Sequence, residues 1–146
     1  MRVIAGTTAE IPVGGRKIVD VARRSIGVFN VGGRYYALRN RCPHKGGPLC
    51  TGVLLGELTA SRPGQVSYRS DRTMLICPWH GWEFDVRTGQ SWIDPVRTRV
   101  RNYEVDVISG AALASADAGT RIPGPYVAET HPVRVEDDYV IVDVAR

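Results

Sequence analysis

Histidine and cysteine are scarce in this 146-residue chain, with three of each. The three cysteines, Cys42, Cys50 and Cys77, are few and odd in number. That argues against a disulfide framework and for a metal or redox role. No apolar run approaches the ~18 residues of a membrane span, which argues against a helical anchor. Residues 1–6 pass straight into polar, mixed sequence, so no signal peptide is expected. Arg23-Arg24 lies too far into the chain for a twin-arginine export signal. A cytoplasmic location is the expectation. No G-x-G-x-x-G fingerprint marks a flavin or nicotinamide domain, so the chain is not expected to reduce itself. No internal repeat is strong enough to use, and the only compositional bias is a mild one in 109–119.

What remains is ordinary for a globular protein: 43% hydrophobic and 23% charged residues. The length favours a single domain over 1–146. Sixteen glycines and nine prolines are spread along the chain, so many short elements joined by turns are expected. Charge is uneven. Residues 1–45 hold nine basic and two acidic side chains, 46–101 seven and five, and 102–146 three and eight. A basic face of this kind could steer an acidic protein partner, or it could be a solvated surface. Nucleic acid is not expected, because the basic residues are scattered and no recognition-helix pattern accompanies them.

The pattern of β-branched residues predicts strands at 17–21, 25–31 and 35–38, with Gly32-Gly33 as a hairpin turn. Residues 51–68 read as a hairpin or long excursion turning at Pro63-Gly64. Short strands follow at 73–76, 82–86 and 91–93, with a turn at Thr88-Gly89. A half-exposed strand is expected within 99–108, one helical turn at 111–116, and a closing hairpin from 133–136 and 139–144. The fold class is all-β.

Two loops stand out: Cys42-Pro43-His44-Lys45-Gly46-Gly47-Pro48-Leu49 and Cys77-Pro78-Trp79-His80-Gly81-Trp82. Each offers one cysteine and one histidine, as C-x-H and then C-x-x-H. Thiolate and imidazole suit zinc or iron–sulfur iron rather than magnesium or calcium. Zinc fingers usually pair like ligands within one segment. One Cys and one His per loop suits two irons lying between two fingers of chain. Pro43 and Pro78 would stiffen the loops. Gly46, Gly47 and Gly81 would allow close backbone approach and expose N–H groups toward sulfide.

These two segments resemble the paired cluster-binding boxes of Rieske-type [2Fe-2S] proteins. The likeness runs on through Glu83-Phe84-Asp85-Val86-Arg87-Thr88-Gly89, similar to Rieske ferredoxins and ring-hydroxylating oxygenases. It implies that Cys42 and Cys77 hold one iron and His44 and His80, through Nδ1, the other. It implies three stacked antiparallel sheets, with a cluster-binding subdomain over about 38–95 and a base from about 1–37 and 96–146. The stretches at about 53–72 and 104–128 look like insertions relative to compact Rieske ferredoxins.

High-potential relatives of cytochrome bc complexes carry a second cysteine in each box, joined as a disulfide, and hydroxyl donors near the sulfurs. Here Trp79 stands at the cysteine position of the second box, and Trp82 and Phe84 at the hydroxyl positions. Fewer donors predict a potential near the low end of the Rieske range. Trp79 and Trp82 are expected to shield the cluster, Cys50 to be a buried structural thiol, and His131 to have an ordinary packing role.

With His44 and His80 committed, only His131 is left, too few for the mononuclear iron of a terminal oxygenase. The implied role is one-electron transfer between a flavoprotein reductase and a terminal oxygenase, without chemistry of its own. One rival is a small Rieske subunit paired with the large subunit of a nitrite-reductase-like complex. Another, of a different class, is a zinc-stabilised interaction module.

Overall fold

The computed structural model describes residues 1–91, 98–115 and 137–144. Along the chain run β1 (Arg2–Thr7), β2 (Arg16–Val21), β3 (Arg24–Val31), β4 (Arg34–Arg39), a 3-10 turn (Leu49–Thr51), β5 (Val53–Arg62), β6 (Gln65–Ile76), β7 (Glu83–Asp85), β8 (Asn102–Ser109), α1 (Gly110–Ser115) and β9 (Asp138–Asp143). All strand pairs are antiparallel. No helix among the described residues is long and apolar enough to cross a membrane.

The strands form one six-stranded sheet, in the order β1-β9-β8-β4-β3-β2, and one three-stranded sheet, β5-β6-β7. The three sheets expected from the resemblance are all present, but two of them join edge to edge. The join is slight: only Ala37↔Tyr103 and Leu38↔Asn102 pair β4 with β8.

β3 explains why the described residues form two cores. Its residues 26–30 are buried without a break, because both faces of this strand are covered. Ile26 and Val28 face a cluster with Ile11, Ala37, Tyr103, Val140 and Val142. Phe29 faces the other way, into Leu38, Leu49, Leu75, Phe84 and Val86, and this second core also contains Cys42 and Cys77. The cysteines that point to a metal are therefore rooted in the core rather than carried on free loops.

Several expectations are extended by the structure. β1 has no counterpart in the sequence reading. The segments read separately as an excursion and a short strand at 73–76 are one long hairpin, β5–β6, with its turn at Pro63-Gly64 and Gly64 at φ +80. At Gly56/Glu57 the pairing partner jumps from Thr73 to Arg69, so Ser70–Arg72 bulge out of the ladder. Beyond that bulge the hairpin is an exposed arm. Ser91 bridges Phe84, but residues 92 and 93 lie outside the described residues, as do 133–136 and His131.

Candidate metal centre

The two Cys/His loops are the same backbone turn built twice. Cys42 N–H donates to the Gly47 carbonyl and Cys77 N–H to the Trp82 carbonyl, both at 2.8 Å. Gly46 N–H returns to the Cys42 carbonyl at 2.8 Å, and Gly81 N–H to the Cys77 carbonyl at 3.0 Å. In each loop the glycine four residues past the cysteine is left-handed, at φ +81 for Gly46 and +72 for Gly81. A side chain is disfavoured there, which is why both positions are glycine.

This corrects one expectation. The amides of Gly46 and Gly81 are spent on closing their own turns rather than aimed at sulfur. The N–H groups of His44 and Lys45 instead lie near the Cys42 thiol, where they favour its ionised form. Gly47 has another role. A Cβ there would sit 2.8 Å from the Trp79 ring, so glycine lets Trp79 of the second loop lie on the first.

The histidines sit two and three residues past their cysteines, and this offset brings them face to edge. Their ring centroids are 4.8 Å apart, with planes at 84°. Trp82 stacks on His44 at 4.1 Å and 14°. The second loop thus grips the first twice, through Trp82 on His44 and Trp79 on Gly47. Trp82 is half-buried against His44, whereas Trp79 is 57% exposed. Phe84 is fully buried beneath the loops. Pro43, Pro78 and His80 are exposed and His44 is half-buried.

The donor set fits an iron–sulfur cluster. His44 Nδ1 is buried and has no hydrogen-bond partner, a costly state for a polar atom unless something else is bound there. Cys42 and Cys77 are free, buried and in side-chain contact with each other. Burial pushes the Cys42 thiol above its ordinary value; the N–H groups of His44 and Lys45 oppose this, and the adjoining Cys77 adds to it. Burial, with His80 and Lys45 nearby, pulls His44 below its ordinary value. A metal that replaces the thiol protons and binds neutral imidazole relieves both conflicts. Two pairs, one sulfur and one nitrogen, are what two linked irons need.

A match to the model of the Rieske [2Fe-2S] domain spans residues 1–104. The chain belongs to the Rieske [2Fe-2S] family. Its cofactor is therefore one [2Fe-2S] cluster. Among curated relatives, this Rieske protein is 28% identical over 109 residues to the 3-phenylpropionate/cinnamic acid dioxygenase ferredoxin subunit of Escherichia coli (strain K12), covering 75% of this chain and 88% of that one. Among solved structures it resembles the ferredoxin of carbazole 1,9a-dioxygenase from Nocardioides aromaticivorans IC177, with 27% identity, a TM-score of 0.56, and coverage of 73% and 88%. A Mycobacterium tuberculosis protein described as an NADH-dependent nitrite reductase small subunit shares the fold, with a TM-score of 0.62 over 100% of this chain and 97% of that one, at 17% identity.

Cys50 is the thiol this site does not use. It is fully buried, its Sγ lies 3.5 Å from the Leu38 carbonyl, and its own N–H donates to Asn40 Oδ1. Burial pushes its thiol up to about 12, so it behaves as a small apolar side chain.

Proposed function

We propose that this Rieske protein is a low-potential, ferredoxin-type carrier of single electrons in the cytoplasm. Cys42 and Cys77 would hold one iron, and His44 and His80 the other. The bound cluster supplies one-electron uptake and release. The chain's part is to bury the thiolate side, keep the imidazole side at the surface, and exclude water with Trp82. The donor would be a flavoprotein reductase and the acceptor a terminal ring-hydroxylating oxygenase.

The observation that carries the reading is the pair His44 and His80. One Nδ1 is buried without a partner, and the two rings meet 4.8 Å apart at the protein surface. An electron can thus leave through an imidazole without crossing the protein. The likeness to dioxygenase ferredoxins, over most of their length, supports the choice of partners.

The first test is the ligand set. Purified protein should be red-brown, with iron and acid-labile sulfide in equal amounts, and His80→Ala should lose the Rieske spectrum. A colourless protein with stoichiometric zinc, or a normal cluster in His80→Ala, would overturn the reading. Stable co-purification with one large catalytic chain would point instead to a reductase subunit.

A further inference from the structure

A groove of about 360 Å³ runs beside His44, between the first Cys/His loop and the chain leading into β8. Five cationic side chains line it: Arg39, Arg41, Lys45, Arg99 and Arg101. Among the described residues no carboxylate does. Four of the five are exposed, and Arg39 is half-buried. None takes part in the ion pairs of the described residues, which use Met1, Arg2, Lys17, Arg69, Arg72 and Arg87. Arg99 donates to Gln90 Oε1, and Arg101 lies over the Tyr103 ring. Neither contact neutralises charge.

Gathering like charges in one groove is unfavourable for the free protein. The molecule pairs other arginines with acids, as in Arg87 with Asp85 and Arg69 with Asp71. Among the described residues no acid offsets these five cations, so the carboxylates of a partner can. Guanidinium groups suit that role, because they are weakly hydrated and bind carboxylates in bidentate fashion. Trp79, exposed on the adjoining loop, adds the aromatic anchor that protein interfaces favour.

We propose that this groove is the docking site for the acidic face of a redox partner protein, whose carboxylates meet Arg39, Arg41, Lys45, Arg99 and Arg101 and bring its acceptor beside His44. The proposal rests on the electron-carrier reading and adds the sign of the partner's surface. Free small anions share the chemistry. Here, however, the cations come from separate segments and ring an open groove, which suits a surface better than a single ion.

The test mixes reduced holoprotein with two haem proteins of opposite charge, acidic cytochrome b5 and basic cytochrome c, in a stopped-flow instrument. With cytochrome b5 the rate constant should fall at least about tenfold between about 20 and about 200 mM sodium chloride. Arg99→Glu/Arg101→Glu should lower the low-salt value at least about tenfold, with Arg99→Gln/Arg101→Gln between it and wild type. These positions are distant in sequence from both cluster loops, and the visible spectrum checks that the cluster is intact. Arg34→Glu/Arg62→Glu makes the same charge change at the far end of β4 and the arm tip, and should cost less than about threefold.

Equal losses in the two glutamate variants, or no loss in the groove variant, would overturn the docking site while leaving the carrier intact. Inhibition by inorganic phosphate beyond that of chloride at matched ionic strength would make the groove a small-anion site and also overturn it. If reduced wild type passes no electron to either haem protein, the carrier reading itself fails, and the docking proposal with it.

Discussion

At the scale of single residues, the two loops make unequal demands on their glycines. Gly46 and Gly81 are needed for their backbone angles, so Gly46→Ala and Gly81→Ala should each cost about 1 kcal/mol or more. Both should also lower the fraction of chains holding a cluster, read as the ratio of visible to protein absorbance. Gly47 is needed only for space. Gly47→Ala displaces Trp79, which is largely exposed and can swing away. Its stability should change by less than about 0.5 kcal/mol, while Trp79 fluorescence shifts. If all three variants lose equal stability, the distinction between angle and space is wrong.

Asp85 carries a second prediction at this scale. Burial alone would raise its carboxyl, but hydrogen bonds from the Arg87 guanidinium and N–H outweigh that and hold it below the usual carboxylate range. A depressed folded value means that the stabilisation is complete above the unfolded carboxylate value of about 3.9 and is lost as pH falls through the lower folded value. Asp85→Asn should therefore lower the melting temperature by the same amount at every pH from about 6 to about 8. A loss that varies across that window would mean that another group is titrating.

At the scale of elements, the β5–β6 arm is dispensable for the cluster. Its distal part, 58–69, is exposed on every residue and touches neither core. The bulge at Ser70–Arg72 and the Tyr68 hydroxyl, which accepts the Gly56 N–H at 2.9 Å, mark where the arm begins. Replacing 58–67 with a two-residue turn shortens a loop at an entropic change of about 1 kcal/mol or less. The Rieske spectrum and melting temperature should stay close to wild type. Loss of the cluster on trimming would show that the arm supports the loops.

The legibility of these elements follows from which contacts are local. The β3–β4 hairpin is readable because the Gly32-Gly33 turn lies between its own apolar runs. The arm is readable as a turn at Pro63-Gly64, but Ser70-Asp71-Arg72 interrupt the apolar pattern, so one strand read as two. β1 is set by its partner β9, from the other end of the chain, and no local signal announces it. The same rule divides the site. Candidate ligands and the special glycines show in residue spacing. The hold of Trp82 on His44 and of Trp79 on Gly47 crosses between loops and appears only once they are folded together.

At the scale of the whole molecule, two effects compete for the redox potential. Trp82 and Phe84 bring no hydroxyl to the sulfur side, and a cluster with fewer donors is harder to reduce. Against this, reduction adds a negative charge beside a groove lined by five cations, which favours the reduced state. Hydrogen bonds act at contact distance and are not screened, whereas the exposed cations act through solvent and are. The donor effect should dominate at physiological salt, placing the midpoint on the order of −150 mV. The cationic effect should survive as a slope: the midpoint falls as salt rises, and Arg99→Glu/Arg101→Glu abolishes or inverts that fall. Spectroelectrochemical titration at two salt concentrations reads both. A midpoint well above zero would refute the donor argument. A midpoint that rises with salt in the wild type would mean that acidic groups outweigh the groove at the cluster, and the charge balance drawn for this surface would have the wrong sign.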